Sequence, residues 1–208
     1  VVDIYRQSND RIIALWKECD NALQDLASWG DGKKPYYLGE HKVVQVTSEG
    51  LKLPNGLYIR YNNLKINAEG KWVYDSRKGP VNIWGGAMVE NIVQALARIV
   101  VFDQMAKIDI ELRKNDNPDA DRRYKVALTV HDEVVSVVPP PAAKWCLDFM
   151  LEVMKIPPKW CSDLPVSCEG DIGKNYADAK YAFVLEKMPK DEFKEAYPKA
   201  YTPSDTLQ

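Results

Sequence analysis

Apolar residues recur at intervals of three and four through the start of the chain: Ile4, Ile12, Leu15, Trp16, Cys19, Leu23 and Leu26. That spacing predicts a helix over residues 1–27. Residues 28–35 are polar and contain glycine, and they break it. The period then shortens. Residues 42–46 read as a short strand, 51–61 as a hairpin turning at Asn55-Gly56, and 71–74 as one more strand. Together they predict a small antiparallel subdomain inserted between two helices. Asn82-Ile83-Trp84-Gly85-Gly86 interrupts the pattern. Beyond it, Met88, Ile92, Ala95, Ile99, Val100, Phe102 and Met105 cover a wide apolar face. They predict the longest helix of the chain, over 87–112, largely buried. A charged loop over 114–122 follows.

The period of two is most marked next. Two β-branched runs, 126–130 and 134–138, flank His131, Asp132 and Glu133. The runs predict two antiparallel strands, with the polar tripeptide as their turn. The strands are too apolar for an edge ribbon in water, which predicts a hairpin central in a sheet. Pro139-Pro140-Pro141 ends the second strand, because proline cannot donate to a ladder. Residues 142–155 form an amphipathic helix pattern with Trp145, Leu147, Phe149, Leu151 and Met154. Residues 165–170 read as a short strand returning to the sheet. Residues 189–208 are polar and contain proline, and are expected to be loosely ordered with one helical turn near 192–196. There is no internal repeat and no low-complexity tract. The fold class expected is α+β: helices packed on a small antiparallel sheet with a central hairpin, plus a small β-hairpin insertion.

Composition narrows the function classes. The 208 residues are 46% apolar, which excludes general disorder. Net charge is −2, so contact with nucleic acid would run through a local patch. Four cysteines (Cys19, Cys146, Cys161 and Cys168) form no C-x-x-C pair, and there are two histidines. A zinc site or a disulfide framework is not expected, and reduced thiols in a cytoplasmic setting are. No run approaches the ~18 apolar residues of a membrane span, so no membrane is expected as a partner. No signal peptide is visible. The chain starts at Val1 with residues that already read as helical, which suggests a piece of something larger.

The chemistry concentrates at the hairpin tip. A turn usually carries Gly, Asn or Pro. Here it carries an imidazole and two carboxylates. By itself such a triplet reads as a solvated turn. Carboxylate oxygens are also the natural ligands of hard cations such as Mg²⁺, and a hairpin tip is rigid yet open. Adjacent residues of a strand point to opposite faces, so Asp132 and Glu133 need not act together. One carboxylate does not hold a catalytic metal pair, and a second must come from elsewhere. Asn91 and Gln94 sit three apart on one face of the long helix. They are either ordinary surface amides or donors to the minor-groove acceptors that all base pairs share. Gly85-Gly86 is either a helix-entry break or a place where backbone approaches a ligand closely. Lys33-Lys34, Arg77-Lys78 and Arg122-Arg123 read as solvated charges that any phosphate could meet.

These residues carry a resemblance. Leu128-Thr129-Val130-His131-Asp132-Glu133-Val134 resembles motif C of the family A DNA polymerases, the palm hairpin. Trp84-Gly85-Gly86, with Val89-Glu90-Asn91-Ile92-Val93-Gln94-Ala95 and Ala97-Arg98, is similar to the preceding helix of phage-type members. Leu53-Pro54-Asn55-Gly56 with Tyr58 and Tyr61 is similar to their LPSGR hairpin. Tyr5-Arg6 with Ile12 and Trp16 resembles the last fingers helix. Pro165-Val166, Glu169-Gly170 and Gly173-Lys174-Asn175-Tyr176-Ala177-Asp178-Ala179-Lys180 resemble the closing segment. The resemblance covers residues 1–181. Ile99 stands where phage members commonly carry Asp, and Leu57 replaces the usual Arg after Gly56.

The resemblance implies template-directed nucleotidyl transfer onto a primer 3′-hydroxyl by a two-Mg²⁺ mechanism. Primer–template DNA, deoxynucleoside triphosphates and the remainder of the polymerase are the implied partners, in the cytoplasm of a phage host. Asp132 matches the motif C metal ligand, and Glu133 its acidic neighbour of lesser role. His131 matches the residue near the primer end. Asn91 and Gln94 lie on the helix that faces the duplex minor groove in the family. The matching domains are the end of a fingers helix (1–30), a β-hairpin insertion (31–80), the palm with motif C (81–188) and a tail (189–208). Motif A, with the other metal-binding Asp, and motif B, which binds the nucleotide, are not in this sequence, nor is an exonuclease domain. The chain alone is therefore expected to be inactive. The alternative class is a non-catalytic structural or partner-binding piece of a split polymerase.

Overall fold

A computed structural model describes residues 6–115 and 124–176. The chain divides into two compact units, residues 1–99 and 100–208. Helices and small antiparallel sheets make up both, in keeping with the α+β class. The segments 116–123 and 177–208 lie outside the described residues. They hold most of the expected charged loop and the expected C-terminal tail.

In the first unit, helix α1 runs Asp10–Ala27. Residues 6–8 are helical too, but Asn9 interrupts them, so the single helix expected over 1–27 is in two parts. Asn9 is the N-cap of α1: its backbone is non-helical while its carbonyl accepts from the Ile13 N–H, and its side chain makes no capping bond. Ser28 closes α1, its N–H and its hydroxyl both donating to the Gln24 carbonyl. Cys19, Ala22 and Leu23 form the buried stripe. Burial pushes the Cys19 thiol up to about 12, and the neighbouring Glu18 and Asp20 add to the rise.

Seven short strands follow, more than the pattern of the sequence suggested. β1 (Tyr36–Leu38), β2 (Val44–Thr47), β3 (Gly50–Lys52) and β4 (Tyr58–Ile59) form one antiparallel sheet in that order. β5 (Lys65–Ile66), β6 (Trp72–Ser76) and β7 (Gly79–Asn82) form a second. The expected Asn55-Gly56 hairpin is the link between β3 and β4, closed by Leu53 and Leu57. Pro80 sits in β7, an edge strand, where a missing N–H costs no ladder bond. Leu38, Val44, Val46 and Leu51 bury one face of the first sheet, and α1 packs against β1 and β2.

Helix α2 runs Gly85–Lys114, and the division between the units falls within it. Its first turn explains Gly85. The Gly85 N–H donates to the Asp20 carboxylate of α1. A methyl group on Gly85 would collide with the Trp16 carbonyl oxygen and with Asp20. The close approach is thus to another helix of this chain. By length and apolar content α2 also meets what a membrane crossing requires, contrary to the expectation that no run does. Scattered polar residues hid that reading in the sequence, and several of them, Asn91, Gln94 and Gln104 among them, bond to protein. In the second unit, buried Gln104 donates to the carbonyls of Met154 and Ile156, at 3.0 Å each.

The second unit holds β8 (Lys125–Val130), β9 (Glu133–Val137), a 3₁₀ turn at Pro140–Ala142 and helix α3 (Ala143–Met154). Its core is Ile108, Leu112, Tyr124, Val134, Ala142, Cys146 and Val153. Burial alone raises the Cys146 thiol to about 12. Two expectations are corrected here. Residues 165–170 form no strand: they run along α3, with Gly170 against Leu147 and Leu151, and the Cys168 thiol 3.4 Å from the Leu151 carbonyl oxygen. Side-chain packing on α3 replaces ladder pairing. Nor is the hairpin central in a larger sheet: among the described residues β8 and β9 form a two-stranded sheet. Their apolar content is half used, since Val134 is buried while Leu128, Val130 and Val137 are exposed.

Candidate functional site

Val130 pairs with Glu133, so the turn of the β8–β9 hairpin is two residues long, His131 and Asp132. The turn expected from the sequence had three, and Glu133 instead opens β9. His131 has φ +55°. Two-residue hairpin turns require a positive φ at their first position to match the strand twist. Histidine tolerates that region better than bulkier or β-branched residues do. His131, Asp132 and Glu133 are all exposed.

The strand that carries the tip is anchored at its base. The register shifts between Val126 and Leu128, leaving Ala127 as a bulge. Bulges bend a strand and re-aim the side chains beyond them. Beside it, the Val126 N–H donates to Asp109 Oδ1 of α2 at 3.2 Å. Arg113 donates to Oδ2 of the same carboxylate at 2.5 Å. That hydrogen bond, with help from the Val126 N–H, holds Asp109 below the usual carboxylate range. Asp109 therefore stays ionised at neutral pH and fixes the hairpin to the helix.

The two carboxylates at the tip differ. Glu133 Oε2 accepts a hydrogen bond from the Tyr176 hydroxyl at 2.7 Å, and that bond raises the tyrosine's pKa. No such partner engages Asp132 among the described residues. Nor, among the described residues, do any three His, Cys, Asp or Glu gather there into a group able to hold a metal ion. The tip thus presents one uncommitted hard oxygen ligand beside one that is already oriented.

The two amides expected to share a helix face lie in the first unit. Asn91 is half-buried and donates to the Tyr61 hydroxyl at 3.2 Å. Tyr61 packs edge-on against Tyr74, with ring centroids 5.1 Å apart, and burial raises its hydroxyl to about 12. Gln94 is exposed and donates to Glu90 at 3.1 Å. An amide nitrogen has two N–H groups, so each side chain keeps one donor beyond these bonds. Sequence reasoning did not pair Tyr176 with Glu133 or Asp109 with Val126. The Gly-Lys-Asn-Tyr motif was the available signal for the first, and nothing local signals the second.

An exposed carboxylate on an anchored ribbon is the kind of oxygen ligand that hard cations prefer. Comparison with known proteins gives that preference a direction. The DNA polymerase of Bacillus phage SP02 is 29% identical over 195 residues. The match takes in 85% of this chain and 26% of the phage protein. The similarity relates the chain to a phage DNA polymerase, of which it spans about a quarter of the length. No protein-family profile matches the chain, and no solved structure does.

Proposed function

We propose that this chain is the C-terminal portion of a phage-type family A DNA polymerase and carries palm motif C. The observation that carries this reading is the exposed Asp132 at a two-residue turn, on a strand pinned by Asp109. The sequence around it matches motif C, and the relationship to a phage DNA polymerase points the same way. The exposed Leu128, Val130 and Val137 also support it. A two-stranded ribbon is marginal alone, and a further strand from the rest of the polymerase would cover it.

The donor set fits Mg²⁺ in part. Asp132 offers the carboxylate oxygen that Mg²⁺ prefers, and a second carboxylate has to come from the upstream region. Bound there, the metal would supply charge stabilisation at the transferring phosphate and acidify the primer 3′-hydroxyl. Asp132 holds one wall of that site. Glu133, oriented by Tyr176, adds negative charge beside it. His131 stands at the primer end. Asn91 and Gln94 donate to minor-groove acceptors of the primer–template duplex, a readout that does not depend on sequence. Positioning and electrostatics then do most of the work, as in phosphoryl transfer generally.

The test is primer extension by the 208-residue chain combined with its upstream region. Template-directed incorporation of deoxynucleotides that requires Mg²⁺ is expected. Failure of that assembled polymerase to extend a matched primer would overturn the reading.

A further inference from the structure

Tyr61 and Tyr74 of the β-rich part support Asn91, but the outer face of its first sheet is not used by the site above. Between residues 31 and 82 there are nine Lys or Arg against five Asp or Glu, in a chain whose net charge is −2. The basic character is therefore concentrated in this module. The register shows how the first sheet arranges it. Tyr37 pairs with Gln45, Gln45 with Lys52, and Lys52 with Tyr58. Directly paired residues share a face, so these four side chains form one row across all four strands.

The opposite row, Tyr36, Val46, Leu51 and Ile59, faces the core side. Val46 and Leu51 are fully buried in it, whereas Tyr37 is 50% exposed and Lys52 is exposed. Arg60 extends the outer row, its guanidinium 5.1 Å from the Tyr58 ring centroid. Its carboxylate partner among the described residues, Glu49 at 3.4 Å, forms a surface pair that salt screens readily. At the Tyr37 end, Glu18 and Asp25 approach the row, but both carboxylates are occupied. Glu18 accepts the Gly39 N–H, and Asp25 accepts the Tyr36 hydroxyl and pairs with Lys33.

We propose that this row, Tyr37, Gln45, Lys52 and Tyr58 with Arg60, is a binding platform for single-stranded DNA. Two aromatic rings and two cations in one row on a solvent-side sheet face suit an unpaired strand. Bases stack on the rings while Lys and Arg meet the phosphates. A duplex hides its base faces and gains nothing from the tyrosines. The choice of DNA as occupant rests on the polymerase reading, in which an unpaired template strand is always present. The platform itself does not depend on Asp132.

The experiment uses the full 208-residue chain and a fluorescein-labelled dT₁₂, read by anisotropy, against a blunt duplex of equal length. Tighter binding to the single strand is expected. Tyr37→Ala and Tyr58→Ala should each weaken it about tenfold, and Tyr37→Phe should not. Lys52→Ala should lower the slope of log K against log salt by about 0.7. Circular dichroism of each variant checks that it folds. Binding no tighter than to the duplex, or folded alanine variants that bind like the parent, would overturn the proposal. Asp132→Ala should leave this binding unchanged, so loss of the platform and loss of the polymerase reading give separate results.

Discussion

Replacing Asp132 with alanine is expected to abolish primer extension by the assembled polymerase while leaving the fold intact. On the proposed reading, the carboxylate would hold a metal whose charge stabilisation at the transferring phosphate is worth several kcal/mol. Losing about 4 kcal/mol slows turnover about a thousandfold. Stability should change by no more than about 0.5 kcal/mol, because Asp132 is exposed. It also has no hydrogen bond or ion pair among the described residues. Glu133→Gln should cost much less, since the amide oxygen can still accept from Tyr176. Single-turnover extension with a matched primer measures both. An Asp132→Ala enzyme with normal turnover would remove the tip from the chemistry.

The second large effect needs no mutation. By itself the 208-residue chain should incorporate no nucleotide. On the proposed reading, its hairpin would supply one metal-ligating carboxylate, Asp132, to a site that needs at least two. The groups that bind an incoming nucleotide in family A enzymes have no match in its sequence. Gel-resolved extension over hours, with Mg²⁺ or Mn²⁺, measures this. Robust synthesis by the purified chain would mean that the second ligand lies within it, and the division of labour proposed here would fail.

Much of the fold was legible because period decides element type. Leu15, Cys19 and Leu23 marked α1, and the runs flanking His131 marked β8 and β9. What escaped the sequence did so for identifiable reasons. β5, of two residues, is too short to show a period of two, and β7 contains Gly79 and Pro80. The turn looked three residues long because Glu133 is polar, although it is the first residue of β9. Residues 165–170 have strand-like composition, but their packing partner is helix α3 rather than a sheet edge.

The candidate site shows the same division. Asp132 and its exposure could be read from a polar break between two apolar runs. Its support could not. Asp109 reaches Val126 across 17 residues, Tyr176 reaches Glu133 across 43, and Gly85 reaches Asp20 across 65. Such contacts depend on where the chain returns in space, and no local pattern encodes that. The cross-strand row of Tyr37, Gln45, Lys52 and Tyr58 is likewise a product of register, which the four short strands do not reveal one at a time.

Fe²⁺ placed in the metal site tests the role of the tip most directly. With ascorbate and peroxide, iron bound in the Mg²⁺ site of the assembled polymerase should cut the backbone beside it. Scission between Leu128 and Val135 is expected, competed away by Mg²⁺ and lost in Asp132→Ala. Scission elsewhere with this hairpin intact, or unchanged scission in Asp132→Ala, would contradict the assignment of Asp132 as a metal ligand.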